Sequence, residues 1–318
     1  KSFASFHGMK HATTCSNGTA ALHLALAALD LKKGDEVIVP DLTFVSTANV
    51  VAFCGATPVL VDVDKETWNI DPEQVQKKIT PKTKAIIPVH LFGNPCDMDA
   101  IMKIAKEHNL VVIEDCAESL GAKYDDKLTG TFGDIACFSF YGNKTLTTGE
   151  GGMCMTNDKA LFDKMNLLKN HGMTKEKRYW HEMVAFNYRM TNLQAAIGLA
   201  QMERLPSFIK KREEIANTYR ELLKDVPGIS FQKVSEKAKP VFWMVSIVAE
   251  EKDELVKALQ KAEIDTRPIF HPLHSLPIYK EDQDYPNSTF ISENGFSLPT
   301  YTHLTEAQLK EICEALQR

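Results

Sequence analysis

The segment FSFYGNKTLTTGEGGM, residues 138–153, contains the residues with the clearest chemical potential. Lys144 follows a run of strand-forming residues and precedes a stretch rich in threonine and glycine. A lysine held inside a fold is poorly hydrated, so its neutral amine becomes available as a nucleophile. Ser139 stands five positions before Lys144 and offers a hydroxyl to a phosphate. A solvated surface lysine is the common alternative, and the interpretation therefore depends on partners elsewhere in the chain.

Two acidic residues, Asp115 and Glu118, follow the apolar run in LVVIEDCAES. Ligands of an open parallel sheet bind at the carboxyl ends of its strands, so these side chains are candidates for a site. A buried carboxylate is costly unless a positive group faces it. Capping of a following helix is the alternative role of Asp115.

The pattern SNGTAALHLAL predicts a helix N-terminus at Gly18 and Thr19, which suits a phosphate but also caps many ordinary helices. The segment has neither the dinucleotide-binding nor the Walker spacing of glycines. One cofactor needs all of these groups, because pyridoxal 5'-phosphate uses a lysine, a carboxylate at its ring nitrogen and a phosphate cradle. Lys144, Asp115 and Ser139 with the helix N-terminus fill those roles.

The surrounding patterns predict the elements that must position these residues. The helical pattern from Thr19 to Leu31 is followed by short runs rich in valine and isoleucine that alternate with amphipathic helical patterns. Strands without polar alternation between such helices indicate an α/β fold with a mostly parallel sheet covered on both faces. The predicted strands are 36–40, 57–63, 84–90, 110–116, 135–140 and 152–156.

The pattern changes near Pro206, where a long helical stretch is expected to kink and form two segments. Beyond Pro227 and Gly228, a strand-like run, a helix and a proline- and histidine-rich stretch indicate a mixed α+β unit. The sequence therefore predicts a large cofactor-binding domain over residues 1–206 and a small C-terminal domain over residues 207–318.

Composition excludes several classes of protein. The chain has 318 residues, of which 44% are hydrophobic and 25% charged, with a formal net charge of -5. The 37 basic residues are scattered, so no nucleic-acid partner is predicted. The seven cysteines lack the spacing of metal ligands, and we expect them to be reduced thiols of a cytoplasmic protein. The apolar stretches are too short for a membrane span.

Five segments resemble the DegT/DnrJ/EryC1/StrS family of nucleotide-sugar aminotransferases, and the resemblance runs over nearly the whole chain. They are SNGTAALHLAL, DLTFVSTANVVAFCGATPVLVDVD, VIEDCAES, GTFGDIACFSFYGNKTLTTGEGGM and FNYRMTNLQAAIGLAQ. The resemblance implies an aspartate aminotransferase-like fold (fold type I), pyridoxal phosphate as cofactor, and family residues upstream of Lys1.

The resemblance also implies a role for each residue of the site. Lys144 would form the Schiff base, Asp115 would contact the pyridinium nitrogen, and Glu118 would lie beside the phenolic oxygen. Phe44 would lie against the cofactor plane, although a plain core phenylalanine is its alternative. The phosphate would be held by the hydroxyl of Ser139 and the amides of Gly18 and Thr19.

Contacts to the partner subunit and to the substrate follow from the same resemblance. Asn187 would reach the phosphate of the partner subunit in a homodimer with shared active sites, and Arg189 is a competing candidate. Arg267 and His271 are the candidate substrate contacts. His271 and His274 have no third ligand nearby, so no metal site is predicted.

The implied reaction moves the amino group of L-glutamate to C4 of a nucleotide-linked 4-keto-6-deoxy sugar, in polysaccharide or O-antigen biosynthesis. GDP-4-keto-6-deoxymannose, which gives GDP-perosamine, is the first expectation, and UDP- or dTDP-4-keto-6-deoxyglucose is the alternative. A sugar dehydratase of this family would have histidine in place of Lys144. A non-catalytic binding protein on this fold would be expected to add a DNA-binding segment, which is not visible here.

Overall fold

Helices and strands alternate along the N-terminal part of the chain and change order towards the C-terminus. The structure is a computed structural model that describes residues 1–317. Its helices in that range are α1 (Ser2–His7), α2 (Gly18–Ala27), α3 (Ser46–Phe53), α4 (Pro72–Lys78), α5 (Met98–His108), α6 (Lys159–Lys169), α7 (Asn192–Leu223), α8 (Lys252–Lys261), α9 (Pro286–Asn294) and α10 (Glu306–Leu316). None of these helices combines the length and the apolar composition that crossing a bilayer requires.

The strands are short and are distributed over both parts of the chain. In chain order they are β1 (His11–Cys15), β2 (Glu36–Pro40), β3 (Thr57–Val61), β4 (Thr83–Ile86), β5 (Val111–Asp115), β6 (Lys123–Tyr124), β7 (Lys127–Leu128), β8 (Ile135–Ser139), β9 (Gly152–Thr156), β10 (Ile229–Phe231), β11 (Ala238–Lys239), β12 (Val245–Ala249), β13 (Arg267–Pro268) and β14 (Gly295–Leu298).

A seven-stranded sheet in the order β1-β9-β8-β5-β4-β2-β3 forms the centre of the N-terminal part. The neighbours from β3 to β8 pair in parallel, whereas β9 runs antiparallel to both β8 and β1. Successive residues of a strand point to opposite faces, so Val37 and Val39 pack in one buried cluster and Ile38 packs in another. The prediction of an α/β fold with a mostly parallel, doubly covered sheet is confirmed.

The predicted strands are present, although some are shorter than their apolar runs. β2 and β9 have the predicted bounds. The run 84–90 ends early as β4, at Ile86, because Pro88 has no N–H to donate to a sheet ladder. β1 was not predicted, since its sequence HATTC contains no apolar run.

Helix α2 begins at Gly18, as predicted. The side-chain oxygen of Asn17 accepts the N–H of Ala20 at 2.8 Å and caps the helix. α2 packs against β8 and β9 of the sheet and against α3 and α6. This packing holds the helix N-terminus at the carboxyl end of β8, where Ser139 lies.

Helix α7 passes through Pro206 as one helix of 32 residues, where two segments were expected. Thr191 and Gln194 form a capping box at its start. The helix packs with α8 and α10 against a four-stranded antiparallel sheet, β10-β12-β14-β13, so the C-terminal part has the expected mixture of helices and strands. The predicted domain boundary falls inside α7, and the division into two domains stays a prediction.

Glu114 anchors the loop that precedes β8. Its side chain points away from that of Asp115, because successive residues of a strand alternate, and it is fully buried. The carboxylate accepts backbone N–H groups from Gly130 at 2.7 Å, Phe132 at 2.8 Å and Gly133 at 2.7 Å. The His90 Nε2 lies 3.2 Å from it. This network fixes β5 relative to the loop that enters β8.

We predict that Glu114→Gln lowers the free energy of unfolding by about 3 kcal/mol, because the amide nitrogen would face backbone donors and leave them unsatisfied. Chemical denaturation monitored by circular dichroism would measure the loss. The exposed Glu107→Gln of α5 is the matched control and should change the value by less than about 0.5 kcal/mol. An equal, small effect of both substitutions would contradict the anchoring role.

Candidate active site

Lys144 lies inside the protein, in the loop between β8 and β9, and its side chain is only 13% exposed. Its Nζ is 3.4 Å from Oε1 of Glu118 and 3.5 Å from the ring centroid of Trp243. The surface-lysine alternative therefore does not describe this residue. An amine in this setting has an acid beside it and an aromatic face against it.

Asp115 ends β5 and is 6% exposed. Its carboxylate accepts the hydroxyl of Thr47 at 3.1 Å and the N–H of Ala117 at 3.1 Å. Burial raises the pKa of Asp115 above its ordinary value, and the Ala117 amide and the charge of Lys144 oppose that rise. Residues 116–122 form turns rather than a helix, so Asp115 is not a helix N-cap.

Glu118 is buried between two partners. It accepts the backbone N–H of Phe92 at 2.7 Å, and its other oxygen faces Lys144. Burial raises the pKa of Glu118, and the ammonium of Lys144 opposes that rise. Both acids therefore lie in an electrostatic environment that favours positive charge beside them, as pyridoxal phosphate with a protonated ring nitrogen would supply.

Gly18 and Ser139 form a compact cradle where α2 meets β8. A Cβ atom on Gly18 would lie 2.7 Å from the Cβ of Ser139, so only glycine fits this approach. Asn17 satisfies the amides of Ala20 and Ala21, through its side chain and its carbonyl respectively. The amides of Gly18 and Thr19 have no intrahelical acceptor, and together with the Ser139 hydroxyl they fit a phosphate.

Phe44 is not a core phenylalanine. Its ring is 54% exposed just before α3, with the ring centroid of Phe270 at 5.8 Å. An exposed aromatic ring close to the carboxyl end of β2 is available for stacking against a planar ligand.

Asn187 and Arg189 lie together on the exposed surface, where the Nε of Arg189 donates to Oδ1 of Asn187 at 3.0 Å. Both candidates for the partner contact therefore lie on the same exposed surface. Neither residue lines the cavity that contains Lys144.

Arg267 lines a cavity of about 850 Å³ that also contains Lys144, whereas the exposed His271 does not line it. His274 binds Asp41, with its Nδ1 2.7 Å from Oδ2. Arg267 is therefore the better placed of the two candidate substrate contacts.

Sequence reasoning missed Trp243 and Thr47 as residues of the site. Thr47 follows Phe44 by three residues, a spacing that places two side chains near each other at a helix start and could have drawn attention to it. Trp243 lies about a hundred residues beyond Lys144, and no local pattern connects the two.

We predict that Asp115→Asn makes the stability of the cofactor-free protein less dependent on pH. The folded protein binds this proton more tightly than the unfolded chain does, so the stability from Asp115 is fully present below its ordinary pKa of 3.8. That stability is lost as the pH rises through the raised pKa. The wild type should therefore lose stability relative to the variant across the pH range above about 4.

Thermal unfolding across that pH range would measure the difference. Asp282→Asn, at an exposed position, is the control and should follow the wild-type profile. Parallel profiles of the wild type and Asp115→Asn would contradict the burial effect.

Comparison with known proteins places this geometry in a family. The sequence model of the DegT/DnrJ/EryC1/StrS aminotransferase family matches residues 1–317 of this chain. The GDP-perosamine synthase of Escherichia coli O157:H7 is 48% identical over 318 residues, which cover 99% of this chain and 87% of that protein. The GDP-perosamine synthase of Caulobacter vibrioides is 47% identical over 326 residues, which cover 100% of this chain and 88% of that protein. The expectation of a GDP-linked sugar as substrate agrees with these matches.

Solved structures show the same similarity. The DesV protein of S. venezuelae, determined in complex with a ketimine intermediate, superposes with a TM-score of 0.95 at 34% identity, over 99% of this chain and 86% of that chain. The PLP form of the putative sugar aminotransferase Spr1654 from Streptococcus pneumoniae superposes with a TM-score of 0.93 at 29% identity. The superposition covers 99% of this chain and 88% of that chain. This chain therefore belongs to the DegT/DnrJ/EryC1/StrS aminotransferase family.

Proposed function

We propose that this chain is a pyridoxal phosphate-dependent aminotransferase that converts GDP-4-keto-6-deoxymannose and L-glutamate into GDP-perosamine and 2-oxoglutarate. The observation that carries the proposal is the buried amine of Lys144, 3.4 Å from Glu118, in a site with the buried Asp115. The 48% identity to a GDP-perosamine synthase over 99% of the chain supports the sugar and the nucleotide.

The residues present fit the cofactor. When bound, pyridoxal phosphate supplies an electron sink that stabilises negative charge on the carbon next to the reacting nitrogen. Asp115 would keep the ring nitrogen protonated, because a buried carboxylate favours a cation beside it. Phe44 would cover the ring face and Glu118 would bind near the phenolic oxygen. The phosphate would be bound by Gly18, Thr19 and Ser139.

Lys144 performs the proton transfers in this proposal. Its neutral amine removes a proton from the α-carbon of glutamate in the first half-reaction, and it delivers a proton to C4 of the sugar in the second. Glu118 keeps the amine within reach during both steps, because its buried carboxylate attracts the ammonium form. Arg267, in the same cavity, would bind an anionic group of the substrate.

Lys144→Ala should lose at least about a thousandfold in kcat, because the nucleophile and the proton carrier are both removed. The absorbance of the lysine-linked cofactor should also be lost. An assay of 2-oxoglutarate formation with GDP-, UDP- and dTDP-linked 4-keto-6-deoxy sugars would measure turnover, with the highest kcat/KM for GDP-4-keto-6-deoxymannose.

Lys144→Arg is the matched control for folding, since it keeps a cation beside Glu118 without the reactive amine. It should unfold at the wild-type temperature and still lack turnover. A preference for a UDP- or dTDP-linked sugar would contradict the GDP assignment. A wild-type protein that never takes up pyridoxal phosphate would contradict the enzyme assignment, and dehydration of the sugar without glutamate would favour the dehydratase alternative.

We further propose that the protein acts as a homodimer. The stretch 179–199 exposes several large apolar side chains, of which Val184 is 98% and Leu193 80% exposed. The others are Tyr179, Trp180, Met183, Ile197 and Leu199. Exposed apolar surface of this kind marks an interface. Asn187 and Arg189 lie in the same stretch, so a second copy that covers it would bring one of them to the phosphate cradle of its partner.

A mixture of Lys144→Ala and Asn187→Ala proteins tests the shared site. If Lys144 of one subunit works with Asn187 of the other, each mixed dimer holds one intact site. Random mixing in equal amounts then gives about a quarter of the wild-type activity, because half of the dimers are mixed. Activity would be measured after the two inactive proteins are unfolded and refolded together.

Two results of that experiment would argue against the arrangement. Activity equal to the mean of the two separate variants would show that each site lies within one subunit. An Asn187→Ala protein with full cofactor affinity would exclude Asn187, and the mixture would then be repeated with Arg189→Ala.

A further inference from the structure

Trp243 reaches Lys144 from the C-terminal part of the chain. The face of its indole lies 3.5 Å from Nζ of Lys144, and its Nε1–H donates to the backbone carbonyl of Asn143 at 2.8 Å. The side chain is 5% exposed. One residue therefore contacts both the amine and the peptide that precedes it.

The position of Trp243 is fixed on several sides. Its ring stacks on Phe92, with centroids 6.4 Å apart and planes 21° from parallel, and the N–H of Phe92 donates to Glu118. Arg212, from α7, donates to the carbonyl oxygen of Trp243 at 2.9 Å. A Cβ on Gly93 would lie 3.0 Å from the backbone nitrogen of Trp243, so the two backbone segments approach closely. Trp243 thus packs tightly against the segment that contains Phe92, whose N–H binds Glu118.

We propose that Trp243 is a positioning residue for Lys144, which rests on the function proposed above. In both half-reactions of that function, the free amine of Lys144 would act as a proton carrier. During that time the indole face holds the ammonium beside Glu118, because a cation is attracted to the face of an aromatic ring, most strongly to that of tryptophan. The hydrogen bond from Nε1–H of Trp243 to the carbonyl of Asn143 holds the loop between β8 and β9 against the indole, so that the amine of Lys144 stays in contact with the ring face.

The test is the rate at which an amine-directed reagent, trinitrobenzenesulfonate, modifies Lys144 in the full chain freed of pyridoxal phosphate. Mass spectrometry of the Lys144 peptide gives the rate from neutral to strongly alkaline pH. Trp243→Leu should react roughly three- to thirtyfold faster than the wild type at pH 7, because loss of the ring face favours the reactive neutral amine. The ratio should approach one at alkaline pH, where the amine is neutral in both proteins.

Two further variants separate positioning from packing. Trp243→Phe keeps a ring face and loses the N–H donor, so its rate should lie between those of the wild type and Trp243→Leu. Trp68→Phe is the matched control, because Trp68 packs in the same buried cluster and its ring lies nearly perpendicular to that of Phe92. It should react at the wild-type rate, and thermal unfolding would show that all variants are folded.

Three results would overturn the proposal. These are equal rates for the wild type and Trp243→Leu at pH 7, a rate ratio that is constant across the pH range, and an equal acceleration in Trp68→Phe. A constant ratio would mean that Trp243 only shields the amine from the reagent. The labelling needs no cofactor, so its outcome is independent of whether the assay for amino transfer succeeds.

Discussion

The interior ion pair of Lys144 with Glu118 is the interaction on which the site depends. An ammonium and a carboxylate are expensive to bury singly, and each makes the burial of the other tolerable. Glu118 is held in turn by the N–H of Phe92, so the amine is positioned against backbone that is itself fixed. The loop between β8 and β9 thereby keeps a reactive side chain inside the protein. Without that pair, Lys144 would extend into solvent as most lysines do.

Burial of Asp115 and Glu118 disfavours their ionised forms, as their raised pKa values show. The protein therefore gives up stability at neutral pH to keep two acids at the carboxyl ends of its strands. Binding of a group with a positive ring nitrogen would offset that cost. On the other face of β5, the buried carboxylate of Glu114 accepts three backbone N–H groups, which join β5 to the loop that enters β8.

Parallel pairing explains why residues far apart in the chain meet at one edge. β5 and β8 are adjacent and parallel, so Asp115 and Ser139 emerge on the same side, and α2 packs on β8 with its N-terminus at that edge. The C-terminal part then adds Trp243 above the amine and Arg267 along the cavity. The site thus combines a rigid edge of the sheet with residues that the C-terminal part brings to it.

The sequence by itself determined the α/β order of elements and the start of α2, and it made Lys144, Asp115, Gly18 and Ser139 candidates for a site, because each of these depends on local periodicity, capping or position after a strand. Only the tertiary structure decided that Phe44 is exposed, that His274 binds Asp41, and that Trp243 and Thr47 belong to the site. These contacts join segments whose side chains carry no local signal of their partner. Which segments are buried can be predicted from the hydrophobic residues of a short stretch of sequence. The partner of a single polar or aromatic side chain cannot, because it depends on how whole helices and strands pack against each other.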